Sequence, residues 1–276
     1  MVEPITTQAI ETDDQSSVCR LLIDPPADGA WNMAVDEALL IETAQTETPT
    51  LRLYQWQSPT LSLGYFQRHE DRIQHSSSLA AEVVRRWSGG GAILHDRELT
   101  YSIVLPAAHP FARDTQTLYR TVHQAIIGLL ERLLSSVATE WQFKSCVQSA
   151  PVEQTAEPFL CFQRRSPGDV LLRPTKQSGN SLDYKILGSA QRRRRGVVLQ
   201  HGSLLLNRSL MAPDLPGIND LLQSSLSPAE IIESMPQALA IALGVSLHQD
   251  AATACYERAA AIAANRYRDS SWSRRR

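Results

Sequence analysis

Leu118, Val122, Ala125, Ile126, Leu129, Leu130, Leu133 and Leu134 return at helical spacing, which lays one apolar stripe along a helix of roughly four turns or more. A stripe of that length must be covered, and the flanking sequence indicates a sheet. Short runs of strand-type residues between breakers stand on both sides: 20–24, 50–56, 60–64, 83–86, 92–95 and 99–105 before the helix, then 141–144, 169–172, 184–191 and 197–206 after it. Helices are inserted singly among these runs rather than alternating with them. The expected class is therefore α+β, with a mixed or antiparallel sheet flanked by helices. Asp96-Arg97-Glu98 is expected to close a hairpin between 92–95 and 99–105.

Ala30, Met33, Ala34, Glu37, Ala38 and Ile41 mark another helix, with Asp28 or Gly29 at its cap. Ser227-Pro228-Ala229-Glu230 has the capping-box pattern and opens the first of two late helices, about 228–243 and 250–267. The stretches 145–160 and 173–183 are longer than ordinary loops, which marks them as mobile or functional. Residues 1–18 are polar and are expected to form a flexible N-terminal segment, followed by a single domain over 19–276.

Composition narrows the class of function. With 43% hydrophobic and 20% charged residues, the balance is that of a globular protein, and no apolar run reaches the roughly 18 residues of a membrane span. Glu3, Glu11, Asp13 and Asp14 leave the first twenty residues without a signal-like apolar centre; the expectation is a cytoplasmic protein with no membrane partner. The formal charge of −2 argues against general attraction to nucleic acid. Positive charge is nonetheless concentrated in two places, Arg192 to Arg195 and Arg274 to Arg276. Cys19, Cys146, Cys161 and Cys255 form no C-x-x-C pair and have no histidine at ligand spacing, so neither a metal site nor a disulfide framework is expected.

Two motifs have the composition of a site. In Arg85-Arg86-Trp87-Ser88-Gly89-Gly90-Gly91, followed by His95-Asp96, three glycines between strands either form a bulge or bring backbone N–H groups against a ligand. The paired arginines suit a carboxylate, a phosphate or an acidic partner. In Lys185-Ile186-Leu187-Gly188-Ser189-Ala190-Gln191, period-two alternation assigns Lys185, Leu187, Ser189 and Gln191 to one strand face. Lys185 there faces solvent or lines a polar pocket. Gln200-His201-Gly202-Ser203 interrupts an apolar strand, so His201 needs a hydrogen-bond partner or a cavity. Cys161, within Phe159-Leu160-Cys161-Phe162, is by itself either an inert core residue or a reactive thiol.

Taken in order, these motifs resemble the lipoate-protein ligase and octanoyltransferase group of the biotin/lipoate ligase superfamily. The resembling segments are 29–37, Leu63-Gly64-Tyr65-Phe66-Gln67, the Arg85 to Asp96 loop, Lys185 to Gln191 and Leu199 to Ser203. Cys161-Phe162, a short way before the lysine strand, is similar to the nucleophile position of the LipM-type octanoyltransferases, whereas an ATP-dependent ligase needs no such thiol. The resemblance implies a biotin/lipoate-ligase-like catalytic domain with Cys161 as nucleophile and Lys185 as its partner. It further implies that Arg86, Gly89, Gly90, Gly91, His95, Gly188, Ser189, Ala190, Gln191, His201 and Gly202 line the substrate site. The implied donor is octanoyl-acyl carrier protein; the implied acceptor is a lysine of a lipoyl domain or of a glycine-cleavage H-type protein. No cofactor is implied, ATP and Mg belonging only to the alternative of a lipoate ligase. A non-catalytic acyl-binding module on the same fold is the further alternative. All of this requires the long 173–183 segment to let Cys161 and Lys185 meet.

Overall fold

The computed structural model describes residues 17–147, 157–175 and 183–276. In chain order the elements are β1 (Ser17–Ile23), α1 (Gly29–Thr46), β2 (Thr50–Tyr54), β3 (Thr60–Leu63), β4 (Glu82–Arg85), β5 (Ile93–His95), β6 (Glu98–Leu105), α2 (Pro110–Arg113), α3 (Thr115–Leu133) and β7 (Trp141–Ser145). There follow β8 (Val170–Pro174), β9 (Tyr184–Arg194), β10 (Val197–Leu205), α4 (Ile218–Leu222), α5 (Pro228–Leu243), β11 (Val245–Gln249), α6 (Thr253–Ile262) and α7 (Ser270–Arg274). The class is α+β, as the strand and helix runs implied.

An eight-stranded sheet of order β11-β1-β2-β6-β10-β9-β8-β7 forms the centre. Its β11-β1-β2 edge is parallel and the remainder antiparallel. Period-two alternation sorts its side chains between two cores. Leu51 and Leu53, Leu99, Tyr101 and Ile103, and Val198 and Leu204 turn to one face, where α3 and α5 cover them. Tyr54, Val104, Val197 and Leu199 turn to the other, beneath α1 and α6. The stripe beginning at Leu118 is the α3 face of the first core.

The helix caps follow from local chemistry. Asp28 accepts the Trp31 N–H at 2.6 Å at the start of α1. Ser227 and Glu230 form the reciprocal capping box of α5. The helix expected over 250–267 is broken down as α6 and a π-helical turn at Ala263–Tyr267, and α7 follows.

A smaller sheet of order β4-β3-β5 packs on the α1 side, where His95 of β5 reaches Ser203 of β10 at 3.4 Å. This corrects the expected hairpin across Asp96-Arg97-Glu98. β5 pairs with β3, while β6 pairs with β2 and β10, so the three residues carry the chain from one sheet to the other. The hairpin that does form is β9–β10, closed by Arg195 at φ 50° and Gly196 at φ 85°, the two left-handed positions of a type I′ turn. The expected flexible segment 1–18 lies outside the described residues except for Ser17 and Val18, which belong to β1. The expected loops 145–160 and 173–183 fall largely outside them too. Among the described residues, no helix is long and apolar enough to cross a membrane.

Candidate active site

Cys161 begins a 3-10 turn, Cys161–Gln163, that is fastened to the loop preceding β5 by its backbone. Ala92 N–H donates to Phe159 O at 3.0 Å, and Cys161 N–H donates to Ala92 O at 2.7 Å. The triple-glycine segment therefore abuts the cysteine turn directly. Gly91 makes the approach possible, since a Cβ there would lie 3.0 Å from the Cys161 amide nitrogen and 2.9 Å from Arg164 Nε. Gly90, at φ +89°, supplies a left-handed position that side chains seldom adopt. Gly91→Ala is expected to displace the turn that carries the Cys161 sulfur, measured as a changed rate of iodoacetamide modification of Cys161 followed by mass spectrometry.

Lys185 comes to the sulfur from β9. Its Nζ lies 3.7 Å from Cys161 Sγ and 3.3 Å from Cys161 O, and Cys161 itself is half-buried. Strict alternation would have placed Lys185 beside Ser189, but the strand contains a bulge. Val170 pairs with Leu187 and Leu171 with Lys185, leaving Ile186 as the extra residue. Ile186 and Leu187 both enter the α3-side core. Lys185 is thrown to the other side, with its stem over Gly188, where a Cβ would lie 2.4 Å from Lys185 Cε. Ser189 stays on the α3 side, its hydroxyl 2.6 Å from Tyr101 OH and 2.7 Å from His123 Nε2.

The lysine's anion is Asp169, whose Oδ2 is 2.8 Å from Nζ, with both side chains buried. Asp169 is itself held by the Tyr119 hydroxyl at 2.6 Å and the Ser166 N–H at 2.7 Å. Where β8 stops pairing with β9, the Tyr119 hydroxyl also accepts the Ser189 N–H at 3.1 Å. Asp169 and Tyr119 were not singled out in the sequence. An available signal was one carboxylate between the Ser166-Pro167-Gly168 turn and a buried apolar strand.

The remaining motif residues act mainly on one another. Arg86 is buried, and its guanidinium donates to Ser62 O, Gly89 O and Gly91 O at 2.8, 2.7 and 2.6 Å. Arg85 likewise donates to the Gly64 and Gln67 carbonyls at 2.9 and 2.7 Å. The paired arginines thus fasten loops, rather than presenting charge to an anion. Burial brings the Arg86 pKa down to about 10, against a smaller opposing influence of Cys161.

His95 stacks on Trp56 and lies between Ser62 and Glu98, at 2.7 and 2.6 Å; burial, outweighing the attraction of Glu98, lowers its pKa. His201 is the hydrogen-bonded histidine that its strand required. Its ring nitrogens meet Ser88 Oγ at 2.6 Å and Asp36 Oδ2 at 2.9 Å, tying the glycine loop to α1. Gln191 donates to Thr115 O and Gln200 Oε1, each at 2.7 Å. Gly202 admits Ser189, whose Oγ would lie 2.1 Å from a Cβ there. Ala190 pairs with His201 in the β9–β10 ladder, and a Cβ on Gly89 would lie 4.0 Å from Phe66 Cδ2.

The layered α+β fold holds Cys161 against the glycine loop, with Lys185 and Asp169 behind it, and comparison with known proteins gives the class of the chain, an acyl-transferring enzyme. The model of the lipoyl protein ligase A/B catalytic domain matches residues 28–239, and the chain belongs to that family. It is 33% identical over 260 residues to the octanoyltransferase LipM of Kyrpidia tusciae, covering 85% of this chain and 90% of that one. It is 30% identical over 274 residues to the LipM of Macrococcus caseolyticus, covering 89% and 94%. Among solved structures, a lipoate protein ligase of Thermoplasma acidophilum with bound lipoic acid superposes with a TM-score of 0.67 at 21% identity, over 92% of this chain and 98% of that one. At that identity the likeness establishes the fold.

Proposed function

We propose that this chain moves an octanoyl group from octanoyl-acyl carrier protein to a lysine of a lipoyl domain or glycine-cleavage H-type protein, through a thioester on Cys161. The observation that carries this reading is the ammonium of Lys185 at 3.7 Å from the Cys161 sulfur. The naming of the relatives as octanoyltransferases supports it.

A thiolate is the attacking form of cysteine, and Lys185 holds a charge-assisted hydrogen bond against it. Sulfur attack on the donor thioester forms the Cys161 S–C bond and breaks the donor's. The departing thiolate takes a proton from Lys185. The neutral Lys185 amine then accepts a proton from the incoming lysine as its nitrogen attacks the acyl-enzyme; the amide C–N bond forms and Cys161 leaves. Thioester exchange is nearly balanced and aminolysis runs downhill, so the sequence consumes no nucleotide.

Incubation with octanoyl-acyl carrier protein, without nucleotide, is expected to add one octanoyl group to the intact mass. Cys161→Ser abolishes that adduct, and adding a lipoyl domain discharges it. A protein that forms no adduct but lipoylates its acceptor when given lipoate and ATP is instead a ligase, and the proposal fails.

A further inference from the structure

Beside the glycine loop, arginines from distant parts of the chain gather on aromatic rings. Arg192 and Arg194 of β9 lie over the Trp87 ring at 5.1 and 5.2 Å, and Arg192 also over Tyr65 at 5.3 Å. Arg275 lies 4.0 Å over Tyr65 and 4.1 Å over Trp272, and Arg276 lies 5.4 Å over Phe66. Among the described residues these four arginines form no salt bridge, whereas the neighbouring Arg266 is paired with Glu37. The aromatic rings take the place of counter-ions. A ring face attracts a guanidinium without occupying its N–H groups, which can then meet a carboxylate or phosphate. The concentration of charge also bears on the rings, since the Arg275 guanidinium holds the Tyr65 hydroxyl below its usual range.

We propose that this arginine–aromatic surface is the docking site of the acidic donor carrier protein; the inference rests on the octanoyl-transfer reading above. The position favours the donor over the acceptor. Gly89 faces Phe66 at the surface, and Gly91 abuts Cys161. The segment from Trp87 to Gly91 therefore leads from the patch toward the sulfur, its two ends at most roughly 14 Å apart. A phosphopantetheine arm spans such a separation, so the donor's protein body can rest on the arginines while its thioester reaches Cys161. An acceptor lysine has only a four-carbon stem, and its domain must sit over the sulfur itself. Acidic side chains on the carrier and the phosphodiester at the root of the arm both match free guanidinium edges.

The test compares two donors, octanoyl-carrier protein and octanoyl-pantetheine, on the full chain and on an Arg194→Glu/Arg275→Glu double variant of two exposed residues. The expected result is a fall of about 10-fold or more in kcat/KM for acylation by the carrier protein, with a weaker salt dependence. Acylation by octanoyl-pantetheine stays unchanged and doubles as the check on folding, and discharge of preloaded acyl-enzyme to the lipoyl domain is likewise retained. Equal losses with both donors, an effect confined to the discharge step, or unchanged carrier kinetics would each overturn the proposal. If the unsubstituted protein forms no Cys161 adduct from either donor, the octanoyl-transfer reading itself has failed and the docking site falls with it.

Discussion

Lys185→Ala is expected to slow acylation of Cys161 by roughly 10²–10⁴-fold, the usual contribution of a positioned proton-transfer group. The substitution removes both the hydrogen bond on the sulfur and the proton carrier that the proposed mechanism gives the departing thiolate. It also strips Asp169 of its cation, but the carboxylate keeps the Tyr119 hydroxyl and the Ser166 N–H. The variant should therefore fold with reduced stability. Lys185→Arg restores charge yet not activity, because a guanidinium does not give up a proton at working pH. Single-turnover loading followed by intact mass, alongside a thermal melt, checks both claims. A loading rate within a few-fold of the parent's would remove Lys185 from the chemistry.

The second large effect concerns stability. Arg52 is fully buried between α1 and β2, where it donates to Asp24 at 2.7 Å, Asp36 at 2.9 Å and Asn32 Oδ1 at 3.0 Å. Arg52→Met leaves these carboxylates without their buried cation and is expected to destabilise the fold by about 3–5 kcal/mol. The loss reaches the glycine loop, since Asp36 also holds His201, which holds Ser88. Burial pushes the Asp36 carboxyl up, but the His201 hydrogen bond and the Arg52 charge outweigh it and bring the pKa below the ordinary value. A carboxyl depressed in the folded state stabilises above its unfolded pKa, about 3.9, and that contribution fades as pH falls through the folded value. Without Arg52 much of the depression is lost, so the variant should unfold at a higher pH than the parent. Urea titrations from pH 7 downward decide the matter; a variant within 0.5 kcal/mol of the parent throughout would show that the cluster contributes little (about the scatter of ordinary surface changes).

Much of this architecture was legible because burial on two faces imprints simple periods. The α3 stripe and the alternation along β6 and β10 name their own packing partners, and the family that the five segments resemble is the one whose model matches the chain. What escaped was set by pairing at a distance. β11, Val245–Gln249, is a short edge strand whose place depends on parallel pairing with β1, and nothing local marks it. The Asp96–Glu98 connection had hairpin chemistry, but its flanking strands found other neighbours. A single bulged residue, Ile186, reversed the face of Lys185 relative to Ser189. The Arg85 and Arg86 side chains were legible as charge but not as donors to loop carbonyls, because only the folded loop supplies those acceptors.

The amide of Cys161 is committed to Ala92, and that of Ser189 to Tyr119. A carbonyl oxygen turned toward either would find its hydrogen already bound. An acyl group held at the sulfur must therefore draw its hydrogen bonds from donors other than these two amides, and the fold has settled which backbone groups are spoken for before any substrate enters.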